Sequence, residues 1–177
     1  MPTSRASSSS EPSAEEIVTV FNGCFALTYG VKMRGGADEP LYLPASQVSP
    51  AELIFRENFP ASALHEAAHW CIAGAHRRNS LDFAYTYIAA PRSAGEQELF
   101  FAAELRTQSL ESVFAETANV IFNPSADNLN CDISAFANAI ARRRAQTDEW
   151  LNSSAGMRAM QFCQALSGLK EVDLTNG

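Results

Sequence analysis

The stretch Ala61-Ser62-Ala63-Leu64-His65-Glu66-Ala67-Ala68-His69-Trp70-Cys71-Ile72-Ala73-Gly74 gathers into one segment most of the side chains here that can perform chemistry. Alanine and leucine favour helix, and residues four apart stack on one helical face, so His65 and His69 aim their imidazoles at one point. Two ligands sharing a metal need this arrangement. Glu66 lies beside them as a base or as a group that orients a metal-bound water, the reading that His-Glu-x-x-His carries on a helix. Alone, the pattern also arises by chance, with both imidazoles as ordinary hydrogen-bonded helix residues. Two features favour the metal: the three histidines all fall between 65 and 76, and in this apolar setting unliganded imidazoles and a carboxylate would carry a desolvation cost.

The third ligand decides the chemistry. His76 is seven residues beyond His69, but a metzincin needs Gly at 72 and His at 75, where this chain has Ile72 and Ala75. Beside Arg77 and Arg78, His76 reads as an exposed residue of a basic helix end. Asp82, Glu96, Glu98, Glu104, Glu111 and Glu116 all qualify as a downstream carboxylate. Glu104 stands out because it follows Phe100-Phe101-Ala102-Ala103 and precedes Leu105, where a lone charge is costly unless paired or metal-bound. The competing reading is a surface carboxylate at an element boundary. Cys71 lies on a different helical face from His69 and is assigned to packing rather than nucleophilic chemistry.

Around this segment, Ser13 and Glu16 form a capping-box pattern. Ile17, Val20, Phe21, Cys24 and Phe25 then recur at helical spacing, which predicts a core helix ending near Gly30. Gly35-Gly36 reads as a turn, and Leu41-Tyr42-Leu43 and Leu53-Ile54-Phe55 as short strands. Pro60 and Ser62 supply helix-start chemistry for the histidine segment, with Gly74 and Asn79 as stops. Alternating Phe83, Tyr85 and Tyr87 suggest a half-buried strand. The run from Glu96 to Leu105 fits helix or extended chain equally. Three helical stripes follow: Leu110, Val113, Phe114, Thr117 and Ile121; Ile133, Phe136, Ala137, Ile140 and Ala141; and Met157 to Leu166. Asp127-Asn128-Leu129 reads first as turn chemistry. The fold class expected is α+β, a small central sheet flanked by helices in one domain over residues 13–177, preceded by a disordered serine-rich tail over 1–12.

At 177 residues and 46% hydrophobic, the chain can bury one sizeable core. Its net charge of −7 argues against duplex DNA as a partner. Four scattered cysteines without a CxxC pair suit a reducing compartment. No apolar run approaches the length of a membrane span and no signal-peptide pattern is present, so a cytoplasmic monomer with no membrane partner is expected.

With these residues in view, the sequence resembles the elongation factor P hydroxylase family, bacterial enzymes that hydroxylate the modified lysine of translation elongation factor P. The resemblance rests on Asp38-Glu39-Pro40-Leu41-Tyr42-Leu43-Pro44-Ala45, the stretch from Ser62 to Gly74, Arg77-Arg78, Asp82-Phe83, Glu104 with Gln108 and Leu110, and Asp127-Asn128-Leu129. It spans the chain to about residue 145 and is slight in the tail and beyond residue 150. It implies a metal centre of His65, His69 and Glu104, and a fold similar to metal-dependent ribosome-associated endoribonucleases. Such a triad with open positions suits Fe(II) and O₂, with the β-lysylated lysine of elongation factor P as substrate and Glu66 as a proton shuttle. The net charge of −7 suits that amine-bearing substrate, with Asp82 or Asp127 as receivers. Nothing marks a site for 2-oxoglutarate, flavin or pterin, so the electron donor stays open. The alternative is a zinc hydrolase, protease or endoribonuclease, with Glu66 as base.

Overall fold

The computed structural model describes residues 10–84, 91–127 and 129–175. The first element is helix α1, Ala14–Tyr29, which begins at the expected capping box and ends where Gly30 adopts a left-handed φ of 60° and donates its N–H to the Ala26 carbonyl. Strands β1 (Val31–Ala37), β2 (Leu41–Leu43) and β3 (Ala51–Arg56) follow. They form a mixed sheet in the order β1-β3-β2, in which β3 pairs parallel with β1 and antiparallel with β2. Gly35-Gly36 is not a turn between strands. Both glycines lie inside β1, where the register with β3 shifts between Arg34 and Ala37, because a bulge uses glycine's freedom without ending the strand.

Helix α2, Pro60–Ile72, carries the histidine segment. Pro60 occupies its first turn as expected, but the cap position is Phe59, with no side-chain hydrogen bond, and Ser62 lies inside the helix. The ambiguous run resolves as helix: α3 is one 25-residue element, Ala94–Ala118, opened by a second capping box between Ser93 and Glu96. It stops at Asn119, so Ile121 falls outside the helix and is exposed, contrary to the stripe expected. Helix α4, Ile133–Leu151, starts at an Asp132 cap, and α5 spans Met157–Thr175.

Phe83 is not in a strand. It sits in a short helical turn at Leu81–Ala84, where Asp82, Phe83 and Ala84 all have positive φ. Three successive left-handed residues without glycine are strained, so alternation of apolar residues could not report their conformation. Tyr85 and Tyr87 lie outside the described residues, as do residues 1–9 of the expected tail.

The main core joins α1, α2, α3 and α5 with the sheet, and Leu151 at the end of α4 reaches into it. Trp70 packs against Phe21 and Phe25 with ring centroids 5.4 and 4.7 Å apart, and Phe162 of α5 meets Phe21 and Phe114 at 5.7 and 5.0 Å. A smaller cluster of Leu129, Phe136 and Ile140 joins α4 to Phe100, Phe101 and Leu105 at the start of α3. That contact accounts for the apolar character of the run that sequence left undecided. The architecture is thus a helix-rich α+β domain with a small mixed sheet packed on helices. Among the described residues, no helix is long and apolar enough to cross a membrane.

The end of α2 is held from outside. Arg158 of α5 donates to the carbonyls of Cys71 and Ala73 at 2.8 and 2.7 Å, Arg78 donates to Ala73 at 2.8 Å, and the Arg158 guanidinium lies 4.9 Å from the Trp70 ring. Cations on the last carbonyls satisfy orphaned acceptors and the helix dipole together. Replacing Arg158 with Met should therefore lower stability by about 2 kcal/mol, the scale of hydrogen bonds from a charged donor. Urea unfolding reads this as a lower midpoint at unchanged slope, and an unshifted midpoint would remove Arg158 from the support of α2.

Candidate metal centre

Helix α2 has two faces of different chemistry. Ala63, Leu64, Ala67, Trp70 and Cys71 are buried in the core, while His65, Glu66 and His69 turn toward α3 and the space above it. Burial of Trp70 and Leu64, worth roughly 1.5–3 kcal/mol for a large apolar side chain, fixes the rotation of the helix and hence the direction of the histidines.

Helix α3 answers with Glu104, Thr107, Gln108 and Glu111, spaced by three and four residues along one face. The Nε2 atoms of His65 and His69 lie 3.1 Å apart. Glu104 reaches both, with Oε1 3.7 Å from His69 Nε2 and Oε2 4.0 Å from His65 Nε2. Among the described residues, these three form the group whose donor atoms all lie within 4.8 Å of one another. Such spacing fits donors arranged about one ion at the usual 2.0–2.2 Å. Two imidazoles and one carboxylate form a set that leaves positions open on iron or zinc.

The next layer orients these donors. Glu111, only 7% exposed, lies with Oε2 2.7 Å from His65 Nδ1, and so directs Nε2 toward the shared point. Gln108 donates from Nε2 to Glu104 Oε2 at 3.2 Å and to the Ser125 carbonyl at 2.9 Å, while its own Oε1 accepts from the Ser125 N–H. Thr107 Oγ1 lies 3.4 Å from His69 Nδ1.

Charge follows from these contacts. Burial alone would depress the His65 imidazole, but the Glu111 hydrogen bond and charge, aided by Glu66 and Glu104, raise its pKa to about 10. Burial, with the His65 and Arg77 charges adding, holds His69 well below the usual histidine range. His65 Nδ1 faces Glu111 while its Nε2 faces His69 Nε2, so the contact between the two imidazoles lies where both nitrogens would offer an ion. Burial pushes the Glu66 carboxyl up to about 7; His65 opposes this, and Glu104, Glu111 and Asp82 add to it.

A cavity of about 380 Å³ opens over the site, lined by Glu66, His69 and Glu104 below and by Glu39, Tyr42, Asp82, Phe83 and Phe100 around it. Its rim is built by the left-handed turn: Asp82 Oδ1 accepts the Tyr42 N–H at 2.8 Å, and Phe83 stacks on the Tyr42 ring with centroids 4.1 Å apart.

The structure thus brings together His65, His69 and Glu104, with Glu66 beside them. His76 is exposed, Cys71 is a buried thiol whose pKa burial drives upward, Glu96 caps α3, and Glu116 pairs with Arg144. Asp127 is exposed in a turn, and Asn128 lies outside the described residues. Sequence reasoning named Glu111 only as one carboxylate among six and missed its hold on His65. The usable signal was its position seven residues after Glu104, on the same helical face.

A family model described as elongation factor P hydroxylase matches residues 20–174. The match runs past residue 150, farther than the quoted motifs suggest, and so includes most of α5. A protein of Haemophilus influenzae named elongation factor P lysine hydroxylase is 43% identical over 121 residues, covering 68% of each chain. With the match extending over more than half of its length, this chain belongs to the elongation factor P hydroxylase family.

Proposed function

We propose that this protein hydroxylates the β-lysylated lysine of elongation factor P at a centre formed by His65, His69 and Glu104. The observation that carries the reading is the convergence of these three donors beneath an acidic cavity, in a chain of this family. Iron(II) held there would supply O₂ activation. The overall change places one oxygen atom in a C–H bond and reduces the other to water, so two electrons and two protons enter from an external reductant.

The chain's own residues bind and orient. Asp82 offers a carboxylate to the substrate ammonium, while Leu41, Phe83 and Phe100 give its methylene stem an apolar wall. Glu111 and Gln108 hold His65 and Glu104 in place. Glu66, with a carboxyl raised to about 7, can exchange a proton near neutrality inside the cavity. The same property favours the second reading, a zinc-dependent protease or endoribonuclease with Glu66 as base.

Intact-mass analysis separates the two. Modified elongation factor P incubated with this protein, Fe(II), reductant and O₂ should gain one oxygen atom. An unchanged mass beside a working control enzyme rejects the hydroxylase, and cleavage supported by zinc selects the rival.

The ligand set has its own test by metal analysis. Glu104→Ala should lose stoichiometric iron, whereas Glu66→Gln should keep it and lower turnover. Retained iron in the first variant removes Glu104 from the set, and full turnover in the second removes Glu66 from the reaction.

The third expectation concerns pH. The folded pKa of His65, about 10, lies above the ordinary histidine value of 6.5, so its stabilising contribution is full below 6.5 and disappears as pH rises toward 10. Thermal unfolding of metal-free protein should therefore show Tm falling across pH 6.5–10. Glu111→Gln, which removes the carboxylate that raises His65, should flatten that slope; an equally steep slope would refute the coupling.

A further inference from the structure

A second concavity, of about 370 Å³, shares His69 and Phe83 as a wall with the cavity over the metal centre. The two spaces are opposite in sign. Among the described residues, the first is lined by Glu39, Glu66, Asp82 and Glu104 with no lysine or arginine, and the second by Arg77, Arg106 and Arg143 with no carboxylate. On a chain with 13 basic and 20 acidic residues, three guanidiniums in one cleft cannot be read as the general surface.

These arginines come from three elements and are separately positioned. Arg77, in the short turn after α2, donates from Nε to the Phe83 carbonyl at 2.9 Å. Arg106 on α3 places its guanidinium 5.4 Å from the Trp150 ring centroid. Arg143 on α4 is half-buried, and an adjoining recess of about 150 Å³ shares Ile72, Arg106 and Arg143 with the cleft while adding Leu110, Thr147 and Trp150. Three guanidiniums facing one concave, partly apolar space make its potential positive and attract an anion to it. The planar fork of arginine matches a carboxylate or phosphate through paired N–H donors.

We propose that this cleft binds a small oxyanion, a carboxylate or phosphate held by Arg77, Arg106 and Arg143, whose apolar remainder enters the recess against Ile72 and Trp150. The inference goes beyond the hydroxylase reading and does not rest on it, since the charges and the cavity are the same whichever reaction the metal centre performs. A ligand in the cleft lies against the Thr107 and His69 side of that centre.

Isothermal titration with inorganic phosphate and with succinate, at ionic strength held constant with chloride, tests it without elongation factor P. At least one of the two should bind saturably at one site, and the tighter one identifies the head group. Arg143→Gln should weaken that binding at least tenfold, and so should Arg106→Gln, whose exposed side chain makes it the safer variant for folding. Arg142→Gln removes the same charge from an exposed residue that lines neither space, and should leave affinity within twofold. The proposal is overturned if neither anion binds saturably, if binding survives Arg106→Gln, or if Arg142→Gln weakens it equally, which would make the effect one of net charge alone.

Discussion

The site depends on how α2 resolves its two faces. Its apolar face must bury Leu64, Ala67, Trp70 and Cys71 among Phe21, Phe25 and Phe162, and that packing leaves the helix one rotation. At that rotation three ionisable side chains turn inward together, where unpaired charge is expensive. Glu111 and Glu104 on α3 meet this cost by pairing with His65 and reaching both imidazoles. The aromatic core therefore does more than stabilise the fold: by fixing the angle of α2, it fixes where the two Nε2 atoms meet.

The small sheet has a matching role on the other side of the cavity. β2 contributes only Leu41–Leu43, yet its Tyr42 engages the left-handed turn through its backbone N–H and its ring, and its hydroxyl donates to the carbonyl of Arg78, just ahead of that turn, at 2.8 Å. Three residues at positive φ persist because these contacts together over-determine them. Placing Asp82 on the rim through strained backbone, rather than on a regular strand, puts a carboxylate on the cavity that His69 and Glu104 also line, at a distance the sheet alone does not set.

What was legible in the sequence is what local chemistry writes locally. The Ser13 and Glu16 box, the Gly30 stop and the four-residue spacing of His65 and His69 each depend on one element, and each is found where expected. The arrangement of Glu104 with the histidines needed more, because it joins residues about forty apart; its apolar setting marked the residue, and the family resemblance supplied the pairing. Other features left no local trace. Arg158 caps α2 from 85 residues away, a contact no window of sequence reports. Gly35-Gly36 misled because glycine pairs serve bulges as well as turns, and Phe83 misled because a period of two was counted over a segment that begins in left-handed turns.

Net charge is silent on a different point. A total of −7 speaks for amine-bearing substrates and against broad contact with phosphate, but it averages over two cavities of opposite sign that share one wall. The wall is Phe83 with His69, and Arg77 ties it to the basic side by donating to the Phe83 carbonyl. The strained turn thus sets two distances at once: Asp82 to the acidic cavity, and the Arg77 guanidinium to the basic cleft. Carboxylates on one side and guanidiniums on the other impose a field across His69 that neither net charge nor motif spacing contains. Any change that relaxes the turn must disturb both spaces together.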